Sequence, residues 1–291
     1  MSAAATIPAL PLPHTCPLCG ADGHTFVVVT GVDKQLVRCR ACSVIFLDPM
    51  PDPTFVKEEF EERHITNDNR LEYFFGANRD PVLAAVASQV KKVKDGGAIL
   101  DVGCAGGRFL NHFFAESRWE KWGVEPSSFA AARATEQGLR VIQGALSDVD
   151  LPSSKFDVIT VIGVLLYFRR PFEDLNKLKK ALRPGGILVV ELPLSESQVW
   201  RNSRAWSRIA GKPRSLLSSG HLFYYNLRSL EFLLNRSGLR ALKASPIPAM
   251  RQPNAARRCA SSLYSHFSEG IWRLSAKRIM CGPDFLTIST R

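Results

Sequence analysis

Ile99-Leu100-Asp101-Val102-Gly103-Cys104-Ala105-Gly106-Gly107-Arg108-Phe109-Leu110 is an apolar run that ends in an acid, turns through small residues and resumes as an apolar helical pattern. It reads as a strand, a glycine-rich loop and the start of a helix. Small residues at such a turn let a ligand approach the backbone, because a larger side chain would stand in the way. A second strand, Lys121-Trp122-Gly123-Val124-Glu125, ends in another acid close to the spacing at which dinucleotide folds bind ribose hydroxyls. The pair places a nucleoside-containing ligand across the ends of two parallel strands.

The loop reads D-x-G-x-A-x-G, with Ala105 at its middle small position, and departs from the G-x-G-x-x-G of nicotinamide enzymes. In this it resembles the first motif of class I S-adenosylmethionine (SAM) dependent methyltransferases. The resemblance runs through residues 95 to 195 and includes Leu182-Arg183-Pro184-Gly185-Gly186 before a fifth strand.

Further along, strands and helices alternate. Strands are expected at Ala98–Val102, ending at Glu125, at Leu139–Gln143, Phe156–Ile162, Ile187–Leu192 and Leu239–Ala244, with a last one at Phe285–Thr290. The first helix should run to about Glu116. Ser127 or Ser128 should cap the second, Pro171 should open one through Leu182, and Asn226 should cap Leu227–Ser237. Strands apolar on both faces predict a parallel sheet between helix layers. The resemblance adds that the last strand inserts antiparallel beside strand six, giving an α/β, Rossmann-like class I methyltransferase sheet.

Toward the N-terminus, Cys16-x2-Cys19 is followed after nineteen residues by Cys39-x2-Cys42. Each C-x2-C turn can present two thiolates on one face, and two turns complete a tetrahedron, so a structural zinc ribbon is expected. Its hairpin should join Thr25–Thr30 to Gln35–Arg38. The expected division is a lead-in over 1–13, a ribbon over 14–47, a linker with N-terminal helices over 48–94, and the methyltransferase domain over 95–291 with insertions at 195–220 and 248–283. Within the linker, a helix is expected over 54–64. Asp80-Pro81 should supply the N-cap and first residue of another, and Tyr73 and Phe74 could cover a bound cofactor.

The formal net charge of +11 suits nucleic acid, anionic lipid or phosphorylated ligands, and equally an ordinary basic enzyme. No apolar run reaches a membrane span. Seven cysteines without a secretion signal argue for a reducing, cytoplasmic setting.

The resemblance implies roles residue by residue. Asp101 lies beneath the amino-acid part of SAM. Gly103, Ala105 and Gly107 pass close to its methionine and ribose, Glu125 accepts from both ribose hydroxyls, and Gly163 ends strand four beside the cofactor. Backbone atoms of Ala145 and Leu146 could hold the adenine, with Asp148 a weaker candidate. Related sequences often carry Glu-His where this chain has Leu166-Tyr167. The candidate bases are therefore His221, preceding an aromatic pair, and Tyr167. Methyl transfer from a sulfonium is an in-line displacement with a good neutral leaving group, so alignment matters most and a base is needed only for a protonated acceptor. The ribbon, the Phe46-Leu47-Asp48-Pro49 linker and the SAM core together resemble a branch acting on sugars, nucleotide sugars or secondary metabolites. A small-molecule acceptor, phosphorylated or carrier-linked, is the leading expectation. An RNA methyltransferase and a non-catalytic SAM-fold binder are the alternatives.

Overall fold

In the computed structural model the described residues are 15–29, 35–52, 54, 77–195, 199, 221–247 and 284–290. The expected helix over 54–64 apart from Thr54, Tyr73 and Phe74, the insertion at 195–220 apart from Ser195 and Val199, and the insertion at 248–283 lie outside them.

The ribbon strands are β1 (His24–Val29), β2 (Gln35–Cys39) and β3 (Ile45–Asp48). A 3₁₀ turn at Ala77–Arg79 leads into α1 (Asp80–Lys91). Then come β4 (Gly97–Val102), α2 (Arg108–Phe113), β5 (Trp119–Glu125), α3 (Ser128–Glu136), β6 (Arg140–Gln143) and β7 (Phe156–Ile162). A 3₁₀ turn at Leu165–Tyr167, α4 (Pro171–Ala181), β8 (Leu182–Pro193), β9 (Phe223–Tyr224), α5 (Leu227–Arg236), β10 (Arg240–Ile247) and β11 (Asp284–Thr290) follow among the described residues.

The main sheet has the order β10-β11-β8-β7-β4-β5-β6. β4, β5, β6, β7 and β8 pair in parallel, and β11 runs antiparallel to both β8 and β10. This is the class I methyltransferase arrangement expected from the sequence. Strand period two divides the sheet between its two helix layers. Ala98, Leu100 and Val102 of β4, with Leu188, Val190 and Leu192 of β8, pack in one core with Leu175 and Leu178 of α4 and Leu230 and Leu233 of α5. Ile99, Ile187 and Val189 face the other way, onto Val82, Val86 and Val90 of α1 and Phe109 and Leu110 of α2.

Local chemistry sets the helix ends. Ser127 Oγ accepts from Ala130 N at the start of α3. Asn226 and Ser229 cap α5 reciprocally, at 2.8 and 3.0 Å. Two expected details differ. The first helix after the glycine loop stops at Phe113 rather than near Glu116. Phe114 leaves the helix with φ −131° and packs edge-on to Phe109 and Trp119, with centroids 5.2 and 5.0 Å away. Asp80 is also the first helical residue rather than the N-cap. Its carboxylate instead takes Nε and Nη2 of Arg108 at 2.8 and 2.7 Å, a bidentate pair stronger than a cap bond.

A second sheet, all antiparallel, has the order β1-β2-β3-β9. Its first three strands come from the ribbon, and its last, Phe223–Tyr224, comes from the methyltransferase half. Cys16, Leu18, Val37, Cys39, Cys42 and Phe46 belong to the same core as Leu165, Leu166 and Leu222. The cysteine-bearing segment is thus packed into the main core and shares a sheet with it.

Candidate cofactor, acceptor and metal sites

The carboxyl ends of β4, β5, β7 and β8 meet along one edge of the main sheet. There the structure brings together Asp101, Gly103, Ala105, Glu125, Gly163 and Glu191. Asp101 is buried, and Thr160 Oγ1 on β7 donates to its Oδ1 at 2.7 Å. Burial pushes the Asp101 carboxyl up to about 7. The Thr160 bond and the nearby Arg79 guanidinium pull it back, while the Glu125 charge pushes it further up. An acid so placed gains most from a cation arriving at that edge.

The loop after β4 is held from below. Gly103 N and Cys104 N donate to Val124 O at 2.7 and 3.2 Å. Gly103 needs its φ of +74°, and a Cβ there would come within 2.5 Å of Val164 Cγ2. Ala105 is left-handed, φ +46°, a conformation that disfavours any residue with a Cβ. Its N–H is fastened there by Glu125 Oε2 at 2.9 Å, while Glu125 Oε1 accepts from Ser127 N, also at 2.9 Å. Glu125 therefore ties the loop to the start of α3, and as an ionised carboxylate it is an acceptor-only group of the kind that ribose hydroxyls donate to. Gly107 stands at the N-cap of α2, with its N–H donating to Cys104 O at 2.9 Å.

Beyond β6, Gly144 N donates to Glu125 O at 2.9 Å. The side chain of Leu146 is buried in the core, so only its backbone faces the loop. Asp148 is exposed and accepts from Ser147 Oγ. The loop is held by a residue the sequence reading did not single out. Lys177 on α4 donates to the carbonyls of Leu146, Ser147 and Val149 at 2.7, 3.0 and 2.9 Å, using all three ammonium protons.

Two more residues were missed. Arg79 pairs with the buried Glu191 at 3.1 Å, and its guanidinium lies over Gly163, where a Cβ would sit 3.4 Å from Nη2. Glu191 was legible in principle, since it is an acid closing an apolar strand just as Asp101 does. Arg79 carried no such signal, because its partner lies 112 residues away.

His221 and Tyr167, the two candidate bases, come together. Their ring centroids lie 5.0 Å apart, edge to face, and His221 lies 5.4 Å from Tyr224. Tyr167 closes the 3₁₀ turn that follows the carboxyl end of β7, so chain order places its ring, and His221 against it, next to the loop that begins at Gly163.

Cys16, Cys19, Cys39 and Cys42 form one group, with ligand atoms all within 4.8 Å of one another. Cys16 and Cys42 sulfurs lie 3.8 Å apart, and those of Cys19 and Cys39 lie 3.6 Å apart. A regular tetrahedron with Zn–S of about 2.3 Å has an edge of about 3.8 Å, so these four thiols fit that ion. The contact between Cys16 and Cys42 lowers the pKa of Cys16 and raises that of Cys42, and burial raises that of Cys19, so without an ion the group favours one thiolate among neutral thiols. No described helix is long and apolar enough to cross a membrane.

The family model described as "Methyltransferase domain" matches residues 70–244. Among solved structures, a chain of the complex between the Haloferax volcanii Trm112 methyltransferase activator and a methyltransferase superposes with TM-score 0.57 at 14% identity, covering 80% of this chain and 97% of that one. A phosphoethanolamine N-methyltransferase 2 from Haemonchus contortus, in complex with SAM, superposes with TM-score 0.56 at 14% identity, over 85% of this chain and 62% of that one. In sequence, the tRNA U34 carboxymethyltransferase of Hahella chejuensis is 35% identical over 113 residues, 36% of this chain and 35% of the relative. The protein of that name from Methylococcus capsulatus is 32% identical over the same shares. The match spans about a third of the length of these curated relatives. Those names overturn the expectation of a sugar or other small-molecule acceptor and favour the RNA alternative. The match to the methyltransferase-domain model, the sheet order and the antiparallel last strand lead to one assignment: this chain belongs to that family and is a class I SAM-dependent methyltransferase.

Proposed function

We propose that this chain transfers a methyl group from SAM to an RNA, with transfer RNA the first acceptor to test. The carrying observation is the name shared by the curated relatives from Hahella chejuensis and Methylococcus capsulatus, tRNA U34 carboxymethyltransferase. The net charge of +11 supports it, since phosphate binding releases counterions. When bound, SAM supplies an activated methyl group on a positively charged sulfur. The chain's own residues do the rest. Asp101, with its carboxyl pushed up to about 7, favours a cationic ligand and faces the cofactor's amino-acid end. Gly103, Ala105 and Gly107 keep the loop small. Glu125 fixes that loop and accepts from ribose hydroxyls. Ala145 and Leu146 border the adenine through their backbone, on a loop braced by Lys177.

His221 and Tyr167 stand on the acceptor side. A histidine there takes the acceptor's proton if the accepting atom carries one. The four cysteines hold a structural zinc, in a ribbon over 14–47 that precedes the linker over 48–94 and the methyltransferase domain over 95–291. A reducing cytoplasm, where transfer RNA is modified, suits those thiols.

The test is incubation of purified protein with SAM and bulk transfer RNA, followed by mass spectrometry of the digested nucleosides. A methylated nucleoside that is absent with Asp101→Asn supports the reading. A carboxymethyl nucleoside would change the transferred group but keep the acceptor. SAM binding with no modified nucleoside, and RNA affinity indifferent to salt, would refute an RNA acceptor.

A further inference from the structure

The ribbon does more than close on itself. β9 is two residues long, and its only partner among the described strands is β3, through Ile45↔Tyr224 and Phe46↔Phe223. The ladder continues past it. Leu47 N donates to Leu222 O at 3.0 Å, and Leu222 N donates to Leu166 O at 2.9 Å. Leu222 is thus clamped between the ribbon edge and the 3₁₀ turn that carries Tyr167, and His221 is its immediate neighbour.

Side-chain alternation extends the link. Phe223 and Tyr225 pack into the core that holds Cys16, Cys39 and Cys42. Tyr224 points to the opposite face, onto Leu36, Ile45 and Leu47. Its ring meets His221 at 5.4 Å, and His221 meets Tyr167 at 5.0 Å. The histidine therefore sits between one aromatic ring fixed by the main sheet and another seated on the ribbon.

The main core holds one face of the cysteine-bearing segment, and an ion on its four thiols would add the tie between its two C-x2-C turns, because ligand binding and local folding are coupled in such modules. Loss of such an ion would untie the Cys39–Cys42 turn between β2 and β3, loosening the strand edge that pairs with β9 and seats Tyr224. The cofactor edge has separate support. Asp101, Glu125, Gly163 and Glu191 are fastened by hydrogen bonds within the main sheet and its loops.

We infer that the ribbon's metal is a positioning device for the acceptor half of the site, acting through the Leu47–Leu222–Leu166 ladder and Tyr224 on His221, and leaving the cofactor half unchanged. This rests on the zinc and acceptor-side readings above. Tyr224 is a positioning residue, and it touches no reacting atom.

The experiment uses full-length protein under reducing conditions. Zinc content is measured by release to a chromophoric chelator, SAM affinity by calorimetry, and the His221 imidazole by nitrogen-15 NMR of histidine-labelled protein, assigned with His221→Gln. Metal removal should shift the His221 signal, leave SAM affinity within about threefold, and be reversed by zinc. Threefold is less than 1 kcal/mol at 1.4 kcal/mol per tenfold. Tyr224→Leu, which keeps apolar contact with the ribbon, should retain zinc, secondary structure and SAM affinity, shift the same signal, and slow transfer to bulk transfer RNA by about tenfold or more.

An unmoved His221 signal after metal removal, or in zinc-bound Tyr224→Leu, would overturn the inference. SAM affinity lost together with the metal in folded protein would overturn the separation of the two halves. Loss of all far-ultraviolet circular dichroism with the metal would do the same. Wild-type protein that neither contains nor takes up zinc would instead sink the zinc reading itself, a result distinct from the others.

Discussion

Asp101→Asn should make the protein more stable and the enzyme worse, and the gain should depend on pH. Burial holds the Asp101 carboxyl at about 7, against 3.8 for an ordinary aspartate. A native pKa above the unfolded one gives stability that is complete below about 3.8 and lost as pH rises through about 7, because the folded state holds the proton longer. Each pH unit between those values is worth about 1.4 kcal/mol, so ionised Asp101 destabilises the fold by about 4 kcal/mol at its limit. Asparagine does not titrate, and its carbonyl oxygen still accepts from Thr160, so that bond cancels between pH values. The variant should therefore gain about 3 kcal/mol on wild type between pH 5 and pH 8. Urea denaturation followed by tryptophan fluorescence at the two pH values measures this directly. An equal stability difference at pH 5 and pH 8 would refute the buried-acid argument. The same carboxylate should make SAM affinity rise with pH through about 7, since a cationic ligand favours the ionised form. In Asp101→Asn that dependence should disappear.

Three other perturbations test the site's supports. Glu125→Gln turns one acceptor oxygen into an amide donor that faces the N–H of Ala105 or Ser127. Calorimetry should show SAM affinity down at least tenfold, from a hydrogen-bond loss of about 1.5–3 kcal/mol, and unchanged affinity would remove Glu125 from the site. Lys177→Met leaves three carbonyls to water. Because the site is part-exposed, about 2 kcal/mol of loop order is at stake, which predicts roughly thirtyfold weaker SAM binding with the transfer rate at saturating SAM preserved. Arg79→Met removes a cation from the buried Glu191 carboxylate and should destabilise the fold by up to about 3–5 kcal/mol, whereas Arg79→Met with Glu191→Met should recover most of it in denaturant titration.

What the sequence made legible was whatever repeats locally. The acid-terminated strands at Asp101 and Glu125, the small-residue turn at 103–107 and the Asn226 cap each carry their signal within a few residues, and the structure bears them out. The two C-x2-C pairs named their own group for the same reason. What escaped was long-range. Lys177 looks like any helix-surface lysine until the loop at 146–149 folds beneath it. Asp80 reads as an N-cap until Arg108, 28 residues on, presents a fork that binds it better. The pairing of β3 with β9 joins residues 45–46 to 223–224, and no local pattern announces a two-residue strand. The acceptor was misread for another reason. A ribbon and linker are shared features of architecture, whereas acceptor choice rests on side chains scattered over separate segments.

The charge layout also separates the two substrates. Asp101, Glu125 and Glu191 are buried at the strand ends, with Arg79 the cation set among them. That floor suits a sulfonium cofactor and repels phosphate. The chain as a whole carries +11, so the charge that attracts a polyanion lies away from the floor. Under the RNA reading, phosphates are therefore held outside while a single base crosses to the methyl group, which means leaving its stack. The half-buried rings of Tyr167 and His221 would border that crossing, and aromatic faces receive unstacked bases without needing their sequence. On that reading the anionic floor would select the cofactor and the aromatic pair would receive the base. The cysteine-bearing segment, through Tyr224, backs His221 from the side away from Tyr167, so under the same reading that segment and the glycine loop would serve different substrates of one reaction.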